Sequence, residues 1–256
     1  MKIGIFDSGL GGLSVLHHAL KVLPNAHYIY YADRDHVPYG EKSKEQIKEF
    51  VTDIINFLVD KGVDAIVIAC NTATSVADYE FRSHFPVPII GMEPAVKKAI
   101  EIYGSQERMI VAATPVTISG DKLYNLVERV DTNHCVDLIA LPGLVHFAEN
   151  GVFEGEEVEN YLRDMFKIYD LEDYSSLILG CTHFNYFKDS FLKVFPKPIH
   201  FVDGNEGTIN HLKRKLSDKK ESLTQVEYYF SSRQVNEEEL QKIHNFLKQL
   251  DKVYNK

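Results

Sequence analysis

The sequence predicts an α/β protein of two similar lobes, each built on a mostly parallel, doubly wound sheet. Three observations lead there. Short β-branched runs alternate with helical periodicities along the chain. Two of these runs end in nearly the same turn, IACNTA at 68–73 and LGCTHF at 179–184. The cysteines of those turns stand 111 residues apart, a spacing compatible with a duplicated lobe, and 256 residues suffice to bury a core in each half.

The strand-like runs are KIGIF, HYIYYA, DAIVIA, RMIVAA, VDLIA, SLILG and IHFVD. The first opens the chain, so no basic and apolar leader precedes it and no signal peptide is expected. FDSGLGGLSVL at 6–16 then enters a helix, where glycines let backbone N–H groups approach an anion. A dinucleotide fingerprint is the rival reading, because Gly9 and Gly11 are spaced for it and Asp33 ends the next strand. Ser14 at the third glycine position and the charge of Asp7 at the turn weigh against it, and no Walker lysine follows.

Ser43 and Gln46 suit a capping box, after which Ile47, Phe50, Val51, Ile54, Leu58 and Val59 recur at helical spacing up to Gly62. A second helix is expected over 154–170, with Val158, Tyr161, Leu162, Met165, Phe166 and Tyr169 as its stripe. The last segment, capped by Asn236, reads as an amphipathic helix that packs on a sheet. Turn signals in GMEPAVKKA, where Pro94 suits a first helical turn, and in VDGNEG mark two crossings. They divide the chain into an outer lobe, 1–94 plus 206–256, and a middle lobe, 95–205.

Composition excludes several classes. Against 37 acidic residues stand 28 Lys and Arg, a net charge of −9, and only HLKRKLSDKK forms a basic stretch, so nucleic acid is not an expected partner. No apolar run approaches membrane-spanning length. Three cysteines without CxxC spacing fit neither a disulfide framework nor a thiolate metal site, and point to a reducing, cytoplasmic setting with no bound metal.

Cys135, at a strand's start, reads as a small core residue. Cys70 and Cys181 differ, because each sits where a strand ends, the place where open α/β sheets bind ligands. If the chain stays extended there, Cys181 shares a side with His183 and Cys70 with Thr72. An imidazole beside a thiol favours the thiolate. A Cys–His hydrolase leaves the second strand-end cysteine unexplained, and a redox pair usually uses CxxC. Two-base proton exchange uses both, since inverting a carbon takes a proton from one face and supplies one to the other. Two lobes related by pseudo-twofold symmetry, with the active site in the cleft between them, provide that geometry; cysteines structural by chance remain the competing reading.

The stretches GIFDSGLGGLSVL, YYADRDHVPYG, ACNTAT, GMEPAVKKA, ATPVTISG and LGCTHF, in this order, resemble the glutamate racemases, cofactor-independent enzymes of the aspartate/glutamate racemase superfamily. The resemblance implies racemisation of L- and D-glutamate, with Cys70 taking the proton from the D isomer and Cys181 from the L isomer. It implies auxiliary roles for Asp7 and His183, which tune the thiols. It places Ser8, Tyr39, Gly40, Asn71, Thr72, Thr114, Thr117 and Thr182 around the substrate's carboxylates and ammonium. HFAENG keeps Glu149 but has Asn150 where a second glutamate is expected, which puts catalytic help from Glu149 in question. Tyr39, Asp33 and Glu93 also read as turn or capping residues. No pyridoxal phosphate or other cofactor, a supply of D-glutamate for peptidoglycan, and a homodimer follow from the same resemblance. An aspartate or hydantoin racemase, or a nucleotide- or anion-binding regulatory protein built on the Gly-rich turn, are the alternatives.

Overall fold

The computed structural model of the chain describes residues 1–92, 95–104, 106–216 and 219–254; Glu93 and Pro94 lie outside them. Among the described residues ten strands form two sheets. They are β1 (Lys2–Asp7), β2 (His27–Ala32), β3 (Ala65–Ile68), β4 (Ile89–Gly91), β5 (Arg108–Ala113), β6 (Val136–Ala140), β7 (Tyr174–Leu179), β8 (His200–Asp203), β9 (Gln225–Phe230) and β10 (Arg233–Gln234).

The first sheet runs β10-β9-β2-β1-β3-β4 and the second β6-β5-β7-β8. All neighbours are parallel except the β9–β10 hairpin. Without that hairpin and its extension of β2, both sheets have one order, and β3 and β7 hold equivalent places in it. In each the chain moves outward from the first strand and then returns to its other side, which opens a crevice at the strands' C-terminal ends. Asp7 ends β1 and Cys70 follows β3 at one such crevice; Thr114 follows β5 and Cys181 follows β7 at the other.

β3 is buried along its whole length, and β1 beyond Lys2, which is why their sequences are continuous apolar runs rather than alternating ones. Helix Lys44–Asp60 covers one face of the first sheet with Ile47, Val51, Ile54, Ile55 and Leu58, and the Ser43–Gln46 capping box starts it. On the opposite face one core continues from the first lobe into the second, joining Ile5, Tyr30 and Val67 to Ile110, Leu177 and Phe184. The second helical stripe is real but shorter than its pattern, Glu156–Phe166.

Three strands escape the pattern reading. β4 has only three residues and follows Pro86 and Pro88, and β9 and β10 carry charges such as Glu227 and Arg233 on that side of the sheet. The final helix, Glu237–Tyr254, begins with the expected Asn236 cap. Its main neighbours are helix Leu13–Val22 of the first lobe and the turn Thr182–Phe187 of the second, rather than a sheet. An amphipathic stripe specifies that one face is buried, not what buries it. No helix among the described residues is long and apolar enough to cross a membrane.

Candidate active site

The two crevices face one another across a narrow cavity of about 20 Å³, room for a water molecule and too little for an amino acid. Asp7, Ser8, Tyr39, Gly40, Cys70, Asn71 and Thr72 line it from the first lobe, and Thr114, Cys181, Thr182 and His183 from the second. Of the residues anticipated from sequence, Thr117 and Glu149 stand one step behind this lining. Thr117 joins a hydroxyl cluster that spans the cleft, with Thr72 Oγ1 2.9 Å from Thr114 Oγ1 and Thr114 donating to Thr117 Oγ1 at 3.1 Å.

Both cysteines are still extended, and the chain turns helical directly after each. Cys70 caps helix Asn71–Val76, and its Sγ accepts the Ala73 N–H at 3.4 Å while donating to Ser8 Oγ at 3.7 Å. Cys181 precedes the tight helical turn Thr182–Phe187, which still brings His183 Nδ1 to 3.7 Å from its Sγ. Pairing of i with i+2 on one side of a strand is therefore not the cause of the contact; a turn of helix is. Both thiols, like Asp7 and His183, are buried. Cys135 is a structural thiol, donating to Asp131 Oδ1 at 3.1 Å, and burial together with Asp131 pushes its pKa up to about 11.

Asp7 Oδ2 accepts the Gly12 N–H at 2.6 Å. Burial raises this carboxyl above the ordinary range, against the pull of His183, the Gly12 and Ser8 N–H groups and Cys70. Burial also raises the Cys70 thiol, and the Asp7 charge raises it further. A charged Asp7 thus keeps the neighbouring Cys70 thiol protonated, and that thiol's hydrogen bond favours the Asp7 charge, which leaves one proton between the two. On the other side, burial opposes a charged His183, but Cys181 and Asp7 outweigh it and raise the imidazole's pKa.

The glycine-rich turn does bind an anion, and the anion belongs to the protein. Leu10 N–H donates to Glu149 Oε1 at 2.7 Å, the same oxygen that lies 2.7 Å from His183 Nε2. Arg34 forms an ion pair with the other Glu149 oxygen. Gly9 and Gly11 are required by this approach: a Cβ on Gly9 would meet Glu149 Oε1 at 2.1 Å, and one on Gly11 would meet His183 Nδ1 at 2.5 Å. Glu149 thus braces the imidazole from behind, and Asn150 takes no part in that brace.

Asp33 accepts the Tyr39 hydroxyl at 2.6 Å and contacts His36 and Ser231, so it holds the 33–41 loop in place. The Tyr39 hydroxyl is committed to this bond, and burial and Asp33 drive its pKa strongly upward. Arg34, Pro142 and Val145 are parts of the site that motif reading overlooked; Pro142 and Val145 line the cavity just after β6, where the strand-end rule that finds the cysteines also applies. Among the described residues no group of three His, Cys, Asp or Glu is arranged to hold a metal ion.

A closed cleft between two doubly wound lobes, with a thiol from each, has the architecture of an isomerase that works at a carbon-bound proton. The chain belongs to the Asp/Glu/Hydantoin racemase family, whose model matches residues 12–212. It is 53% identical to the glutamate racemase of Campylobacter curvus over 99% of this chain and 98% of that protein. The crystal structure of glutamate racemase from Campylobacter jejuni superposes with a TM-score of 0.82 at 30% identity, covering 100% of both chains. That of the Francisella tularensis enzyme in complex with D-glutamate superposes with a TM-score of 0.80 at 27% identity, over 96% of this chain and 93% of the other.

Proposed function

We propose that this racemase interconverts L- and D-glutamate by cofactor-free exchange of the α-proton between Cys70 and Cys181. The observation that carries the reading is that equivalent strand ends of two like sheets each present a buried thiol to one cavity, with a separate proton partner for each. From D-glutamate the Cys70 thiolate takes the α-proton, and the Cys181 thiol delivers one to the opposite face; from L-glutamate the roles exchange. The electron pair left on the α-carbon is delocalised into the α-carboxylate, where hydroxyls and N–H groups at the strand ends offset the charge. Each well-aimed donor contributes about 3 kcal/mol, and holding the substrate between the thiols up to about 7–11 kcal/mol. Ionising an ordinary thiol at neutral pH costs about 2 kcal/mol, and burial beside Asp7 makes Cys70 costlier still; the donor and positioning terms are what offset it.

Asn71, Thr72, Thr114 and Thr182 supply neutral donors to the substrate, and Ser8 and Asp7 stand beside Cys70 to hold the ammonium or relay a proton. Residues 1–94 with 206–256 and residues 95–205 are the units that part to admit it. The free thiols fit a cytoplasmic protein, and the family resemblance supports a homodimer that feeds D-glutamate to peptidoglycan synthesis. Incubation of the purified protein with L-glutamate in D2O tests the reading. Decay of optical rotation with deuterium entering the α-carbon is the expected result; neither change with glutamate, but both with aspartate or a hydantoin, would replace the substrate.

A further inference from the structure

The turn that carries Asp7 and Ser8 is gripped by the opposite lobe. Leu10, within that turn, gives its N–H to Glu149 Oε1 at 2.7 Å and accepts the Tyr186 hydroxyl on its carbonyl, also at 2.7 Å. Both partners lie in the second lobe, more than a hundred residues away in sequence. The neighbouring carbonyl, Gly9, accepts the Tyr30 hydroxyl of the first lobe at 2.8 Å. Consecutive carbonyls of one turn are thus held by buried tyrosines of different lobes.

Tyr186 belongs to the same helical turn as Thr182 and His183 and is completely buried. Its ring packs against Phe153 and Phe246, with centroids 5.0 and 5.2 Å away. The final helix secures the surrounding backbone: Gln249 Nε2 donates to the Tyr186 carbonyl at 3.1 Å, and the Tyr254 hydroxyl to Asn185 Oδ1 at 2.8 Å. Hence one hydroxyl joins the turn bearing Asp7 to the turn bearing Cys181 and His183, and the C-terminal helix clamps it.

The geometry points to a buried pivot, with Tyr186 as a positioning residue for racemisation. A cavity of about 20 Å³ must widen before an amino acid enters. The contacts at the cleft's mouth, such as Glu41–His146, separate in that movement, whereas the Leu10 bonds lie in the core shared by both lobes. When the lobes return, the Tyr186–Leu10 bond sets the distance between the Asp7–Cys70 half and the Cys181–His183 half. Two bases that address opposite faces of one carbon depend on that distance, and misplacement by about 1 Å can cost about 10²-fold in rate.

This inference rests on the glutamate reading. Tyr186→Phe keeps the ring and removes the bond, and Tyr28→Phe controls for loss of a buried hydroxyl, because Tyr28 donates to the Leu23 carbonyl at 2.7 Å within the first lobe, away from the cleft. The expected result for Y186F is a kcat about tenfold lower in both directions with KM within about twofold, and a larger α-deuterium isotope effect. Y28F should lose thermal stability without these kinetic changes. A Y186F enzyme that matches wild type in kcat and isotope effect, or a Y28F enzyme equally slowed, overturns the pivot. If Y186F does not fold, Gln249→Ala is read the same way, with about a threefold fall in kcat expected and an unchanged kcat overturning the proposal. Wild type unable to exchange the α-proton of glutamate sinks the glutamate reading and the pivot with it, whereas active wild type beside unimpaired Y186F sinks the pivot alone.

Discussion

Glu149 Oε1 and His183 Nε2 lie 2.7 Å apart, on the opposite edge of the imidazole from Cys181. A base oriented by a third group is the logic of catalytic triads. Here the orienting carboxylate is also fixed by Leu10 N–H and Arg34.

Glu149→Gln keeps the shape and removes the charge. Its expected cost is about 1.5–3 kcal/mol of stability, the worth of hydrogen bonds to a charged group, read by denaturant unfolding. His183 should also give up its proton at a lower pH than in the parent, because a neutral amide no longer supports the imidazolium. Ring-nitrogen NMR of His183 checks this, and an unmoved titration removes Glu149 from the site's electrostatics.

Cys70→Ser and Cys181→Ser should each reduce racemisation by about 10³-fold or more, at the upper end of what a positioned acid or base contributes. Each variant supplies one face only, so deuterium uptake without inversion is the expected residual activity. Full racemisation by either single variant refutes the two-base assignment.

Asp7→Asn should make the protein more stable and less active at once. Burial raises the Asp7 pKa in the folded state, so folding favours its protonated form. The stability tied to that proton is fully present below the unfolded value near 3.9 and is lost as pH rises through the folded one. At pH 7 the amide removes this penalty and can still accept the Gly12 N–H. A melting temperature about 2–4 °C above wild type is expected, with the gap closing below about pH 4 and activity down by about 10²-fold. A gap independent of pH would contradict the cause.

At the mouth of the cleft His146 Nε2 lies 3.0 Å from Glu41 Oε1, and both side chains are exposed. Such a pair contributes about 0–1 kcal/mol. His146→Ala should leave the melting temperature nearly unchanged and alter KM for glutamate by about twofold, the equivalent of roughly 0.4 kcal/mol. Added salt should reproduce the effect in wild type and not in the variant, which steady-state kinetics at two ionic strengths would reveal.

Much of this is legible in the sequence, and the reasons are local. A buried parallel strand writes itself as an apolar run, so AIVIA and SLILG announce where Cys70 and Cys181 sit, and Ser43 with Gln46 announces a helix start. The turn after each cysteine is helical, whereas the sequence is equally compatible with an extended segment, because nothing in CNTA or CTHF forbids either conformation. Arg34 beside Glu149 and Leu10 beside Tyr186 leave no periodicity at all, since each contact links segments more than a hundred residues apart. β9 is obscured by Glu227, which is tolerated because the two-residue β10 covers only Tyr229 and Phe230 and leaves the rest of β9 open on that side. The tetherings that make the site are thus the part that residue pattern conveys least.

The first sheet takes β9 from residues 225–230, and the helix that touches both lobes is the last element of the chain. During synthesis the second lobe, continuous in sequence, is complete while the first still lacks its edge. The helix over residues 237–254 is made after both cysteine-bearing turns, and only then can it fasten Tyr186 and close the joint core. The site is accordingly assembled only once residues 237–254 have been made, and a ribosome-bound chain arrested before residue 237 would carry both cysteines yet no finished enzyme.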